Sequence, residues 1–218
     1  MNSSTQRCTI AGPAGAIECA IDQPAAGTPR GLAVLCHPHP QHGGTMDNKV
    51  VQTLARAFVQ LGYTSVRFNF RGIGASQGAW DEGRGEIDDA LAVVSFQTAA
   101  HRAAQNQGGQ PLVLAGFSFG GYVASQAALR LAAAGQGAER VVLVGPAVKR
   151  FDVAAVPADT LVIHGEVDDV VALSDVFDWA RPQALPVTVL PGAGHFFHGQ
   201  LSVLKQIVVA AWLSRSDA

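Results

Sequence analysis

Short runs of almost unbroken apolar residues constrain this chain more than any other feature. GLAVLC (31–36), PLVLAG (111–116), ERVVLVG (139–145) and TLVIHG (160–165) are too uniform for strands with one face in water. Strands buried on both faces read this way, and they belong to parallel sheets covered by helices on either side. The segments between them supply those helices. Val50, Val51, Leu54, Phe58 and Leu61 recur at helical spacing after Thr45 and Asp47, which can cap. Ile87, Leu91 and Val94 form a second stripe, with Glu86, Asp88 and Asp89 in its first turn, where the helix dipole favours acids. Residues 119–134 are Ala-rich and stop at Gly135, and LSDVFDWARP and residues 199–214 complete the set. YTSVRFNF (63–70) and PVTVL (186–190) read as further strands, and the 5–22 region as one or two antiparallel edge strands. Gly-rich stretches such as 104–110 read as loops. The expectation is one α/β domain over residues 1–218, with three layers and a mostly parallel central sheet flanked by helices.

Composition excludes several classes. The 218 residues are 48% hydrophobic and 15% charged, with a formal net charge of −2. No basic field is present to hold nucleic acid or an anionic membrane. The opening MNSSTQRC lacks the apolar core of a secretory signal, and no run reaches the roughly 18 apolar residues that span a bilayer. Cys8, Cys19 and Cys36 are sparse, odd in number and without a CxxC. They read as small buried hydrophobes in a reducing cytoplasm, not as a disulfide framework or zinc ribbon. Oligomeric state cannot be read from these features.

Two stretches match G-x-S-x-G, the pattern of a serine nucleophile on a sharp strand-to-helix turn: GASQG (74–78) and GFSFG (116–120). Context separates them. PLVLA runs straight into Gly116, and Phe119 opens a long helical stretch, with Gly121 adding room. GASQG is followed by AWDEGRGE, whose glycines cannot start a stable helix. Ser118 is therefore the candidate nucleophile and Ser76 a loop residue.

A serine hydroxyl needs a histidine base, which in turn needs a carboxylate to orient it. On a parallel sheet these follow in the order Ser, Asp/Glu, His, each on a loop after a strand. EVDDVV follows TLVIHG, and PGAGHFFHG follows PVTVL. Asp168 is favoured over Asp169, which a helix cap would explain, with Glu166 third. His195 at the loop tip is favoured over His198, a rim candidate. The oxyanion donors would be the amide of Phe119 and one from HPHPQHGG (37–44). Pro38 and Pro40 have no N–H, which leaves His39, with Gln41 as fallback. A rival reading makes His37, His39, His42 and Asp47 a metal cluster, but Gln41 stands where a dinuclear zinc motif has aspartate.

HPHPQHGGTMDNKVV, RFNFRGIGASQG, GFSFGGYVA, HGEVDDVV and GAGHFFHG, in this order, resemble the α/β-hydrolase superfamily. Within it the chain looks like the small bacterial serine hydrolases related to dienelactone hydrolases. The resemblance implies Ser118, Asp168 and His195 as catalytic triad and RGIGASQG as a structural loop; Arg71 either anchors that loop by an ion pair or is simply solvated. One departure stands: dienelactone hydrolases use a cysteine nucleophile where this chain has serine. Only residues 146–159 separate two strands where many relatives insert a helical lid, so a lidless, open site is expected. Phe117, Phe196 and Phe197, with Phe119, flank the catalytic positions as candidate substrate contacts, with a core role for some of them equally open, and Trp80 is a rim candidate. The expected activity is a cofactor-free, metal-free serine carboxylesterase for small or medium acyl esters. Thioesters and short peptides stay open, as do a non-hydrolytic lyase or binding protein on the same fold and a metal hydrolase.

Overall fold

The computed structural model describes residues 5–105 and 110–216. Part of the loop read at 104–110 and the first residues of MNSSTQRC lie outside them. The chain runs β1 (Gln6–Gly12), β2 (Gly15–Asp22), β3 (Gly31–Cys36), α1 (Lys49–Gln60), β4 (Tyr63–Phe68), α2 (Arg84–Gln105) and β5 (Leu112–Phe117). It continues with α3 (Phe119–Ala133), β6 (Arg140–Val144), β7 (Leu161–Gly165), α4 (Leu173–Ala180), β8 (Val187–Leu190) and α5 (Leu201–Ser216). The eight strands form one sheet in the order β1-β2-β4-β3-β5-β6-β7-β8. β2 pairs antiparallel with β1 and β4, and the other pairings are parallel.

Why the apolar runs look unbroken is visible in the core. Successive residues of a strand point to opposite faces. Leu32, Val34 and Cys36 join Leu112, Leu114, Val141 and Leu143 against α2 and α3. Ala33 and Leu35 join Val113, Ala115, Phe117, Val142 and Val144 against α1 and α5. Both faces of the central strands are therefore dry, and each residue is apolar for a separate reason. The result is the expected three-layer α/β architecture.

Helix α1 starts at Lys49, so neither Thr45 nor Asp47 caps it. Its cap is Asn48, whose Oδ1 accepts from the Val50 amide at 2.9 Å. Asp47 is held instead by Arg7 and Arg67, from strands distant in sequence. Residues 146–159 contain neither helix nor strand, so no lid is inserted between β6 and β7.

The RFNFRGIGASQG segment is a brace between β2 and α2. Arg71 meets Asp89 through Nε at 3.0 Å and a terminal nitrogen at 2.8 Å, and its own amide adds a third bond at 3.0 Å. Ser76 is buried there, donating to the Asn69 carbonyl at 2.7 Å and accepting from the Glu18 amide at 2.9 Å. Because the Asp89 side chain is 1% exposed and that of Arg71 11%, removing one partner strands the other charge out of water. Asp89→Ala should lower unfolding free energy by about 3–5 kcal/mol in urea titrations; a loss under about 1 kcal/mol would show that the brace carries little.

Candidate active site

The sheet reverses its winding between β3 and β5: β4 lies beyond β3 on one side, and β6 to β8 extend on the other. Loops leaving two such strands diverge, and the gap between them at the C-terminal edge is where open α/β sheets take ligands. A cleft of about 320 Å³ opens there, lined by Pro38 and His39 after β3 and by Ser118 and Phe119 after β5.

Ser118 sits at φ 57°, ψ −119°, outside the regions a non-glycine residue ordinarily adopts. Such a residue costs about 1–3 kcal/mol and persists only where its surroundings hold it. They do so here. Its amide donates to the Val144 carbonyl at 2.9 Å, and its carbonyl accepts from the Gly121 amide at 2.9 Å. A Cβ on Gly116 would collide with the Gly120 carbonyl, and one on Gly120 with the Cys36 carbonyl. The two motif glycines are thus steric requirements of the turn.

The structure brings together the three side chains the motifs singled out. His195 Nε2 lies 3.0 Å from Ser118 Oγ, and His195 Nδ1 lies 2.7 Å from Asp168 Oδ2. With Nδ1–H donated to the carboxylate, Nε2 is left to accept the serine proton. Asp168 Oδ1 accepts from the Val170 amide at 2.9 Å and the Val171 amide at 2.8 Å. Burial alone would raise the Asp168 pKa, but the His195 hydrogen bond and the two amides outweigh it and hold it below the ordinary aspartate range. Asp169 is exposed. Glu166 ties the two loops by accepting from the Gly192 amide at 2.8 Å. His198 is exposed beside Phe196, with ring centroids 5.9 Å apart.

The aromatic expectations need correction. Phe196 is exposed and lines the cleft. Phe117 and Phe197 are fully buried in the core and do not line it. Phe117 shares a face with Val113 and Ala115 by strand alternation, and its ring supports the His195 imidazole from below at 4.9 Å. Phe197 takes φ 52° in the turn that leads toward α5. Phe119 is buried but reaches the cleft, and Trp80 packs behind it against His39, with centroids 4.7 Å apart. Phe151, Arg150, Val170 and Val171 are cleft residues that sequence reasoning missed. They lie in irregular loops, where no period marks which way a side chain points.

Histidines 37, 39 and 42 do not form a metal set. His37 is fully buried: Nδ1 donates to the Pro38 carbonyl at 2.6 Å, and Nε2 accepts from the Phe70 amide at 3.1 Å. Both ring nitrogens are spent holding the HPHP loop to the brace. Among the described residues no group of three or more His, Cys, Asp or Glu is placed to hold a metal. His39 and Phe119 both line the cleft beside Ser118, and no acceptor within the described residues takes either backbone amide. Beneath Asp168, also unforeseen, His164 is buried, donates from Nε2 to the Val171 carbonyl at 2.9 Å and leaves Nδ1 without a partner.

A family profile described as "Serine aminopeptidase, S33" matches residues 27–157, a span that contains Ser118 and ends before Asp168 and His195. The chain belongs to this family of α/β hydrolases. Two solved structures extend the likeness over nearly the whole length of the chain. An α/β serine hydrolase without a lid from Xanthomonas campestris is 36% identical, with 97% of this chain and 94% of that one covered and a TM-score of 0.84. An α/β serine hydrolase homologue from Coxiella burnetii is 38% identical, with 94% and 96% covered and a TM-score of 0.80. An uncharacterised protein of Rickettsia prowazekii is 32% identical, covering 76% of this chain and 71% of that protein. No helix among the described residues is long and apolar enough to cross a membrane.

Burial pushes the His37 pKa down to about 4, against the smaller upward effect of its bond to Pro38. Unfolded, this histidine takes up a proton near pH 6.5; folded, it does so only near pH 4. Its contribution to stability is therefore complete above pH 6.5 and erodes as pH falls toward 4. Relative to His37→Gln, the wild type should lose about 3 kcal/mol more stability between pH 7 and pH 4. Parallel pH curves for the two proteins would contradict this.

Proposed function

We propose that this hydrolase is a carboxylesterase that cleaves small to medium acyl esters through an acyl-enzyme on Ser118. The observation that carries this reading is the unbroken chain Asp168 Oδ2–His195 Nδ1 at 2.7 Å and His195 Nε2–Ser118 Oγ at 3.0 Å, opening on a largely apolar cleft. His195 takes the Ser118 proton as Oγ attacks the acyl carbonyl. Asp168 stabilises the imidazolium that forms, and the amides of His39 and Phe119 hold the oxyanion. His195 then protonates the departing alcohol, and water attacks the acyl-enzyme with the same proton transfers, freeing the acid. Only groups of the chain itself are used. Three free thiols among the described residues fit the reducing cytoplasm.

The family description raises the alternative of an aminopeptidase. An aminopeptidase must hold a substrate ammonium next to the scissile bond. No carboxylate side chain lines this cleft among the described residues, and Phe119, Phe151, Phe196, Val170 and Val171 make up much of its wall. An ester with an apolar acyl group suits that wall better than a charged peptide terminus.

A fluorophosphonate probe should label the protein once, and Ser118→Ala should abolish labelling. The same change should cut hydrolysis of para-nitrophenyl butyrate by at least about 1,000-fold. Labelling that survives the substitution, or a wild type that neither labels nor hydrolyses, would end the esterase reading and favour a non-hydrolytic protein. The acid can be tested separately. Asp168→Asn should lower kcat by about 1,000- to 10,000-fold, while Asp169→Asn changes it by less than about twofold; the reverse order would reassign the acid.

A further inference from the structure

Arg150 is an anomaly among the arginines. Every other arginine whose side chain is described reaches a carboxylate, carbonyl or hydroxyl oxygen of the protein. The Arg150 guanidinium has no such partner, although it stands exposed on the loop after β6. Its neighbour Lys149 is 3.6 Å from Asp175, and Asp168 is bound to His195, so neither acid is paired with Arg150.

The position of Arg150 gives this vacancy meaning. It lines the cleft that holds Ser118 and His195, and it also lines an adjoining groove whose charged residues are Lys149, Asp168, Asp169 and Asp175. Among the residues lining the catalytic cleft it is the one with a permanent charge, and none of them is a carboxylate. Its field reaches the opposite wall: the His39 pKa is lowered by burial first, and then by His42 and Arg150. This is not spill-over from a basic protein, because the chain carries a formal net charge of −2. A planar guanidinium left unpaired at the mouth of an apolar cleft has the fork geometry that grips a carboxylate through two parallel hydrogen bonds.

We infer that the substrate is an ester bearing a carboxylate, and that Arg150 is the specificity-determining residue that binds it. The inference rests on the esterase reading above and names the substrate class for that site. The apolar wall takes the hydrocarbon part of the molecule, and Arg150 fixes the end that remains charged. Binding at the rim then sets which ester bond reaches Ser118.

Two matched ester pairs test it. Para-nitrophenyl hemiglutarate against para-nitrophenyl pentanoate places the charge on the acyl side; carboxyphenyl butyrate against phenyl butyrate places it on the alcohol side. For each pair, the ratio of kcat/KM for the charged ester to that for the neutral ester is measured in the wild type and in Arg150→Gln, which cancels intrinsic ester reactivity. In at least one pair the ratio should fall about 10-fold in Arg150→Gln, mainly through KM, and be partly restored by Arg150→Lys. About 0.5 M salt should shrink the wild-type ratio. Ratios unchanged in both pairs, or charged and neutral esters losing activity in proportion, would overturn the inference while leaving the esterase reading intact. A wild type that hydrolyses none of the four esters and resists the fluorophosphonate probe overturns both.

Discussion

The strained backbone at Ser118 is the constraint on which the rest of the molecule depends. A residue at φ 57°, ψ −119° relaxes unless the chain on both sides is fixed. On one side it is fixed by β5, locked between β3 and β6 in the middle of the sheet. On the other it is fixed by α3, whose first turn can approach the Cys36 carbonyl only because residue 120 has no side chain. The core on both faces of β5 thus holds a hydroxyl at the sheet edge in a conformation it would not choose. The free energy comes from apolar burial, and the product is one hydroxyl of defined direction lining the cleft.

The other site residues inherit their positions from the same sheet. Asp168 follows β7 and His195 follows β8, on loops laced together by the Val167 amide to the Ala193 carbonyl at 3.0 Å and by the Gly192–Glu166 bond. The imidazole rests on Phe117 and packs close over Gly145, where a Cβ would meet the ring at 3.3 Å. The HPHP loop is held from below by His37, which in turn hangs on the Phe70 amide of the Arg71 brace. So Ser76 of the second motif, GASQG, is buried and does not line the cleft. It belongs to the brace that keeps the loop of His39 in place.

Most of the fold was legible in the sequence because burial on two faces leaves a continuous apolar signal, and helices leave a periodic one. The order Ser, Asp, His was legible because the chemistry needs three residue types and the topology fixes their sequence along the chain. What escaped was set by partners distant in sequence. Asp47 reads as a cap until Arg7 and Arg67 arrive from other strands to claim it. Phe197 reads as a wall residue until a left-handed turn directs it into the core. Phe117 was within reach, since its parity with Val113 and Ala115 assigns it to the inner face. Arg150 and Phe151 had no pattern to betray them, because an irregular loop carries no period.

In the proposed reaction Ser118 Oγ attacks carbon at a point between His195 and the amides of His39 and Phe119. A crystal structure of the protein inhibited by a small alkyl phosphonate tests it most directly. Phosphorus should be bonded to Ser118 Oγ, with the phosphoryl oxygen within hydrogen-bond distance, about 2.7–3.1 Å, of both amides. Phosphorus on any other residue, or a phosphoryl oxygen turned away from that pair of amides, would contradict it.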